Sequence, residues 1–577
     1  MAKNYARKSG RAVTHPRATR VPRSFVTQPA AKVVCSTPQT QPARIDQVRN
    51  AAGGYVFRVN KMAQLRRFLC LGTEGGTYYI SEKKLSADNA KFLDEMLWNN
   101  HVAVIDEIVN VSDSGIALKN DPAIFALALA AVHSKAEARS YALSKLDKVC
   151  RIGTHLFTFC QYVKDMKKGT GWGRGMRTAL SRWYNSKDAS SLAYQVCKYG
   201  SRAVEGELPW SHRDILRKAH IVPIDSQHDV IFNYAVRKPT IDYFRPGMET
   251  DSATRYIYGH ELIKDCSDPA SAVEIIAKYN LARESIPTGL LNTKEVYDEL
   301  VKNMPYTATM RNLGNMTKLG TLMPKHYARV MKIGEKDALD VVVSRLTDPA
   351  EIQKARVHPM SILAALNTYG TGRGFRGNGE WTPVTAICNA LEQAFYASFD
   401  YVQPTGKNIL LGIDMSGSMG GPVAGLPNIS TTQAAAVMAM AIARREPNHY
   451  IIGFDTGPFD KLGITAQDKL DSVVRKIAPH GRTDCAVPIK WATDKRYDID
   501  AFVILTDNET WSSNQHPFEA LKQYRKTMNK PDAKLIVVAM TATGYTISDT
   551  HDDRCLDVAG FDASVPAVIN MFIRGEI

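Results

Sequence analysis

Gly173–Tyr184 reads GRGMRTALSRWY, and its spacing decides the fold of the longer part of this 577-residue chain. Arg174, Arg177 and Ser181 fall at i, i+3 and i+7, while Met176, Leu180 and Trp183 fall at i, i+4 and i+7 on the opposite side. That is the period of an amphipathic helix with its basic face outward. The pattern continues at Ser211-His212-Arg213-Asp214, a Ser-x-x-Asp capping box that opens a short helix. Arg213, Arg217 and His220 share one face of it; Ile215, Leu216 and Ala219 take the other. Between Lys164 and His220 twelve Lys or Arg stand against five Asp or Glu. One such helix is read equally well as a solvated charged face. Several in succession, basic outward and short of acidic partners, describe a rigid surface for phosphates.

The helical pattern extends from about Tyr55 to Asp400, with no hairpin signal. Asp121-Pro122, Asp268-Pro269 and Asp348-Pro349 are three helix starts written alike: Asp caps the free amides, and Pro at the first helical position has no donor to leave unpaired. Amphipathic helices paired over hundreds of residues predict an α-solenoid, inferred from helix style because the starts are irregularly spaced. Tyr369–Trp381 (YGTGRGFRGNGEW) interrupts the helices with five glycines around Arg373 and Arg376. It is either a flexible connection or a set of amides and guanidinium groups open to a phosphate chain. The GxxxxGK[ST] spacing is absent from the whole chain, which removes the main support for nucleotide hydrolysis.

After Pro404-Thr405-Gly406 the character changes. Asn408–Ile413, His449–Phe454, Ala501–Thr506 and Lys534–Ala539 are short apolar runs separated by helical stretches such as Thr431–Arg444. Strands of this kind predict a parallel sheet covered on both faces, with ligands at the strands' carboxyl ends. There stand Asp414-Met415-Ser416-Gly417-Ser418, Thr483 in Gly481-Arg482-Thr483-Asp484, and Asp507 in Thr506-Asp507-Asn508-Glu509. Hydroxyls with a few carboxylates suit a hard cation such as Mg²⁺. No hydrolytic triad accompanies them, so the chain reads as a binding protein and not an enzyme. The arrangement resembles the metal-ion-dependent adhesion site of von Willebrand factor A domains. That resemblance implies Asp414, Ser416, Ser418, Thr483 and Asp507 as direct or water-mediated ligands.

Charge divides the chain unevenly. Residues 1–50 carry +9, residues 51–400 carry +8 and residues 401–577 carry −2, so attraction to a polyanion lies in the tail and the middle. The nine cysteines include no Cys-x-x-Cys pair, which argues against a disulfide framework or a zinc site and for a reducing compartment. The longest apolar run, Ala123–Val132, is too short to span a bilayer, and no secretory segment is apparent. The expected location is the cytoplasm. Residues 1–45, with five prolines and few large apolar side chains, read as a disordered basic tail that is either a nucleic-acid-binding arm or a solubilising one. The expected divisions are 1–45 for the tail, 46–400 for the helical part and 401–577 for the α/β domain.

Further motifs carry a resemblance to the Ro autoantigen family, the TROVE-module proteins. They are Tyr55-Val56-Phe57-Arg58-Val59, Arg67-Phe68-Leu69-Cys70, Gly75-Gly76-Thr77-Tyr78-Tyr79-Ile80, Trp172-Gly173-Arg174, Trp210-Ser211-His212-Arg213-Asp214, Met310-Arg311-Asn312-Leu313-Gly314, Pro404-Thr405-Gly406-Lys407 and Gly560-Phe561-Asp562. The resemblance implies a ring of HEAT-like helical repeats closed by the von Willebrand-type domain. It also implies binding of small structured non-coding (Y-like) RNA on an outer basic surface, and of single-stranded ends of misfolded or immature RNA in a central hole. Lys198, Arg202 and His220 are similar to family residues of the outer site, and Arg174 and Arg177 lie in a neighbouring family motif. A monomer acting in RNA quality control, with an exoribonuclease as a possible partner, is the expectation. The alternative is a Mg²⁺-dependent protein-binding adaptor. Arg482 departs from the family pattern, which has a second glycine before the threonine, and so does the long basic tail.

Overall fold

The computed structural model describes residues 36–71, 82–114, 117, 119–167, 171–199, 210–237, 251–322, 338–355, 357–374, 379–399, 403–423, 426–560 and 564–576. Gly75–Ile80, Arg202, Arg376, Phe561, Asp562 and the tail as far as residue 35 lie outside the described residues.

The strands are β1 (Gln47–Arg49), β2 (Tyr55–Arg58), β3 (Ile409–Asp414), β4 (Pro422–Val423), β5 (Leu426–Ser430), β6 (His449–Phe454), β7 (Pro458–Phe459), β8 (Ala501–Thr506), β9 (Lys534–Ala539), β10 (Tyr545–Thr546) and β11 (Cys555–Ala559). The main sheet runs β11-β9-β8-β3-β6-β7, parallel except for β7. Every residue of β3 and β8 is buried, as a parallel sheet covered on both faces requires. The covering helix Thr431–Ala443 is buried almost all round, so its Ala and Met side chains serve packing on every side. Pro488 packs so closely on β3 that a Cβ on Gly412 would lie 2.9 Å from its ring.

The four runs read as strands are strands, to within one residue. The antiparallel pairing of β2 with β1 and with β10 departs from the hairpin-free expectation. These strands are two to four residues long, and the third comes from the far end of the chain, so no local pattern announces them.

From Lys61 to Ala397 successive helices pack against one another around one apolar core. Three of the expected helix starts hold. Ser211 and Asp214 form the reciprocal capping box, Asp268 accepts from the Ser271 amide at 2.8 Å, and Asp348 accepts from the Ala350 amide at 2.9 Å. The fourth is shifted by one residue: Asn120 occupies the N-cap and Asp121 is already helical. The Asn120 side chain bonds Ser112 and the Val149 carbonyl instead of capping, which leaves Asp121 to complement the helix dipole by charge alone.

The helical series starts and finishes on the α/β domain. At its start Arg67, 1% exposed, donates to the carbonyls of Thr543 at 2.8 Å and Tyr545 at 2.7 Å and pairs with Asp557 on β11. At its end Glu392 accepts from the Leu470 amide at 3.2 Å, and the Arg444 guanidinium lies 3.3 Å over the Tyr396 ring. This is the closure expected of a ring.

Residues 36–45 differ from the expected disordered tail. Thr37 donates to Glu519 through its amide at 3.1 Å and its hydroxyl at 3.0 Å, and the Gln39 amide donates to the Ser513 carbonyl at 2.8 Å. The segment is held by polar bonds to the α/β domain, which a reading based on apolar burial does not register.

Candidate functional site

The basic face is built on the helices Arg174–Asn185 and His212–Ala219. Met176, Leu180, Trp183 and Tyr184 are buried, and Tyr184 meets the buried His212 ring at 2.8 Å, locking the two helices together. Burying each large apolar side chain contributes about 1.5–3 kcal/mol, enough to fix which face looks outward. Arg174, Arg177, Arg213, Arg217 and His220 are exposed. Among the described residues none of the four arginines has an ion-pair partner. His220 ends its helix in the left-handed region, at φ 52°.

Lys198 differs from the free outward cation expected. It is half-buried, with its Nζ 2.9 Å from Glu284 and 3.2 Å from the Tyr194 hydroxyl. Burial works against its charge, but Glu284 together with Tyr194 and Tyr199 outweighs that and raises its pKa above the lysine norm. Its positive charge is therefore largely spent inside the protein.

Other cations that the sequence did not single out join the face. Lys218 sits 4.8 Å over the Trp172 ring and 5.2 Å over Trp210, two indoles stacked 5.2 Å apart. With Lys164 and Arg217 it lines a cleft of about 480 Å³. A neighbouring groove of about 540 Å³ is lined by Arg139, Lys167, Arg174 and Arg182. Arg139 donates to the carbonyls of His133 at 2.7 Å and Ser134 at 2.6 Å, and Arg182 to that of Leu143 at 2.6 Å. Carbonyl oxygens orient these guanidinium groups without cancelling their charge. The only sequence signal for them was the local excess of basic residues.

The second site lies at the carboxyl ends of β3 and β8. Asp414 is buried; its Oδ1 accepts from the Ser416 amide at 2.9 Å and its Oδ2 from the Thr506 hydroxyl at 2.5 Å. The Ser416 and Ser418 hydroxyls lie 3.1 Å apart, and Thr483 and Asp507 are buried as well. Asp507 Oδ1 accepts from the Glu509 amide at 3.1 Å, while Oδ2 is buried with no hydrogen-bond partner among the described residues. Burial pushes the Asp414 carboxyl up to about 6; burial, then Asp414 and Glu509, pushes Asp507 well up too. Two buried carboxylates with no basic side chain paired to either among the described residues are a costly arrangement that a divalent cation relieves. An orphaned carboxylate oxygen and three hydroxyls fit a hard ion that keeps some of its waters. Among the described residues no group of three His, Cys, Asp or Glu side chains is placed to hold a metal, so this site would depend on its hydroxyls.

Gly481 fixes the third loop. Its φ of 75° is left-handed, a Cβ there would lie 2.2 Å from Asp455 Oδ2, and its carbonyl accepts from the Gly417 amide at 3.2 Å. The adjacent Arg482 is exposed, with its guanidinium 5.2 Å over the Trp511 ring, and makes no ion pair with either carboxylate among the described residues. The sequence reading missed Gln39 and Asn50, which are buried and bonded to the loops carrying Thr483 and Asp507. Isolated polar residues outside any periodic pattern give no sign of such partners.

Two family descriptions together cover this architecture. The TROVE domain matches residues 48–253 and 278–407, and the Ro60 vWA domain matches residues 408–573. The chain belongs to the Ro60 family. An "RNA-binding protein RO60" of Deinococcus radiodurans is 38% identical over 544 residues, 94% of this chain and 98% of that protein. One of Caenorhabditis elegans is 34% identical over 610 residues, 93% of this chain and 92% of that protein. The crystal structure of the Deinococcus radiodurans RO (RSR) protein aligns with a TM-score of 0.65 at 36% identity, covering 90% of this chain and all of that one. The motif resemblance read from the sequence is thus borne out over nearly the whole chain. In Ro60 terms the two matched regions meet at 407 and 408, at the foot of β3.

Proposed function

We propose that this chain is an RNA-binding ring protein of a ribonucleoprotein. Small structured non-coding RNA would lie on the face carrying Arg174, Arg177, Arg213, Arg217 and His220, and single-stranded RNA ends would enter the ring. The observation that carries this reading is the run of exposed guanidinium groups, without carboxylate partners among the described residues, on helices whose opposite faces are locked into the core. A fixed array of cations neutralises phosphates and releases their counterions, so affinity falls as salt rises. Shape and an open single-stranded end supply the selectivity, as A-form helices hide their base edges. Lys198, bound to Glu284, positions the face more than it charges it. Arg202 keeps its proposed contact from sequence alone.

In the α/β domain Asp414, Ser416, Ser418, Thr483 and Asp507 would hold a divalent metal, Mg²⁺ by the hardness of its ligands. Such an ion, when bound, supplies a site for an outside anionic ligand. The chain's own residues orient that site: Thr506 aligns Asp414, and the Glu509 amide aligns Asp507. We read the protein as a binder, not an enzyme, working in the cytoplasm as a monomer beside an RNA-degrading partner. No helix among the described residues is long and apolar enough to cross a membrane.

Gel shifts with a structured RNA test the main reading. Reversing Arg174, Arg177, Arg213 and Arg217 to Glu abolishes binding while circular dichroism is unchanged; retained affinity would refute it. The orphaned Asp507 oxygen favours a second reading, a Mg²⁺-dependent protein adaptor. Partner capture lost with EDTA and in Asp414→Ala, yet indifferent to ribonuclease, would select that reading.

A further inference from the structure

We propose that Gln39 and Asn50 are positioning residues for the candidate metal centre, so that the N-terminal segment sets how tightly the C-terminal loops hold a divalent cation. The inference rests on the reading of Asp414, Ser416, Ser418, Thr483 and Asp507 as that centre.

The five candidate ligands come from three separate loops, and an ion is held only as well as the loops are held to each other. Two of the loops are bridged by one buried side chain from the opposite end of the chain. Gln39 is 0% exposed. Its Nε2 donates to Asp484 Oδ1 at 2.9 Å, the residue after Thr483, and to the Gln515 carbonyl at 2.9 Å. Its Oε1 accepts from the Thr510 hydroxyl at 2.7 Å, three residues after Asp507. Thr510 Oγ1 in turn accepts from the Cys485 amide at 3.1 Å. Both ends of the Gln39 amide are thus used, one on each ligand-bearing loop.

A second set of bonds fixes the three residues following Asp507. Asn50 Nδ2 donates to the carbonyls of Asn508 at 3.2 Å and Thr510 at 2.9 Å, and the Ala52 amide donates to Glu509 at 2.9 Å. The strap lies so close that a Cβ on Gly54 would sit 1.9 Å from the Thr510 carbonyl oxygen. Side chains that orient metal-bearing groups without touching the ion change affinity by roughly 10- to 100-fold when removed. Gln39 and Asn50 occupy that place here. A side-chain amide is suited to it, because it donates to one loop and accepts from the other without adding charge beside the carboxylates.

Mn²⁺ binding by the full-length protein, followed by electron paramagnetic resonance, tests this beside melting in EDTA. Wild type binds Mn²⁺ and Asp414→Ala does not. Gln39→Leu and Thr510→Val, which break the same bond from either side, each weaken Mn²⁺ binding by about tenfold, and the double variant is little worse than either. Should Gln39→Leu fail to fold, Thr510→Val reads the same contact by itself. Mn²⁺ affinity within about twofold of wild type in the folded variants, with only the metal-free melting temperature lowered, would make Gln39 a structural staple and overturn the proposal. Equal Mn²⁺ binding by wild type and Asp414→Ala, or none by either, would instead remove the metal centre and the inference with it.

Discussion

Replacing Arg174, Arg177, Arg213 and Arg217 together by alanine removes four exposed guanidinium groups and leaves the buried side of both helices untouched. Each phosphate neutralised contributes about 0.7 to 0.9 to the slope of log affinity against log salt, so four contacts account for a slope change of about three. Over a fourfold rise in salt, such as 50 to 200 mM, wild-type affinity should therefore fall about sixtyfold more than that of the variant. The assay is a fluorescence-anisotropy titration of a labelled structured RNA at several salt concentrations, with circular dichroism as the control for folding. Lys198→Met combined with Glu284→Gln serves as the contrast, since that pair is already neutral as a unit and its loss should leave the slope nearly unchanged. A quadruple variant whose slope shifts by less than about one would refute the reasoning, because the cations would then not be meeting phosphates.

Four further outcomes follow from the packing and the site. Trp183→Ala, which empties a fully buried indole position, should cost about 3–5 kcal/mol in urea unfolding. Ser211→Ala deletes the hydroxyl half of the capping box and should lower stability by about 1 kcal/mol in the same assay. Gly481→Ala forces a left-handed residue against Asp455, and its melting temperature should drop by more than that of Gly457→Ala, where nothing lies within 4 Å of the new Cβ. Burial holds His212 down to about 3, and burial followed by Arg151 holds His155 down to about 4. Both pKa values are lowered in the folded state, so the stability they contribute is full above about 6.5 and is lost as pH falls toward those values. Unfolding measured between pH 6.5 and 4.5 should steepen accordingly, by up to about 1.4 kcal/mol per pH unit for each histidine, and His212→Gln should remove one share.

Local patterns carried the helices and the inner strands because those elements are defined by neighbours in sequence. β8 reads as a strand from Ala501–Thr506 alone, and its end marks Asp507. β11 escaped the reading because Cys555–Ala559 includes Asp557 and is mostly half-buried, so it lacks the continuous apolar run. Asp557 is there to meet Arg67, a partner that no local window contains. The pairing of Lys198 was hidden for the same reason, since Glu284 belongs to a different part of the fold. Gln39 and Asn50 were invisible for a stronger reason, since isolated polar side chains outside a helical or strand pattern look alike whether they are solvated or enclosed. Distance along the chain, more than residue type, separates what was legible from what was not.

The bond between Gln39 and Asp484 spans 445 positions, and that between Thr37 and Glu519 spans 482. During synthesis the first residues of the strap leave the ribosome before any of their partners exist. They must stay unattached while the helices assemble, and they can dock only after β8 and the residues following it have emerged. Contacts of such long sequence separation form slowly, because the loop must close before they repay its entropy. Docking of this segment therefore waits until most of the chain has been made, and a protein truncated before Asp484 lacks every α/β-domain partner that holds Thr37 and Gln39 in place.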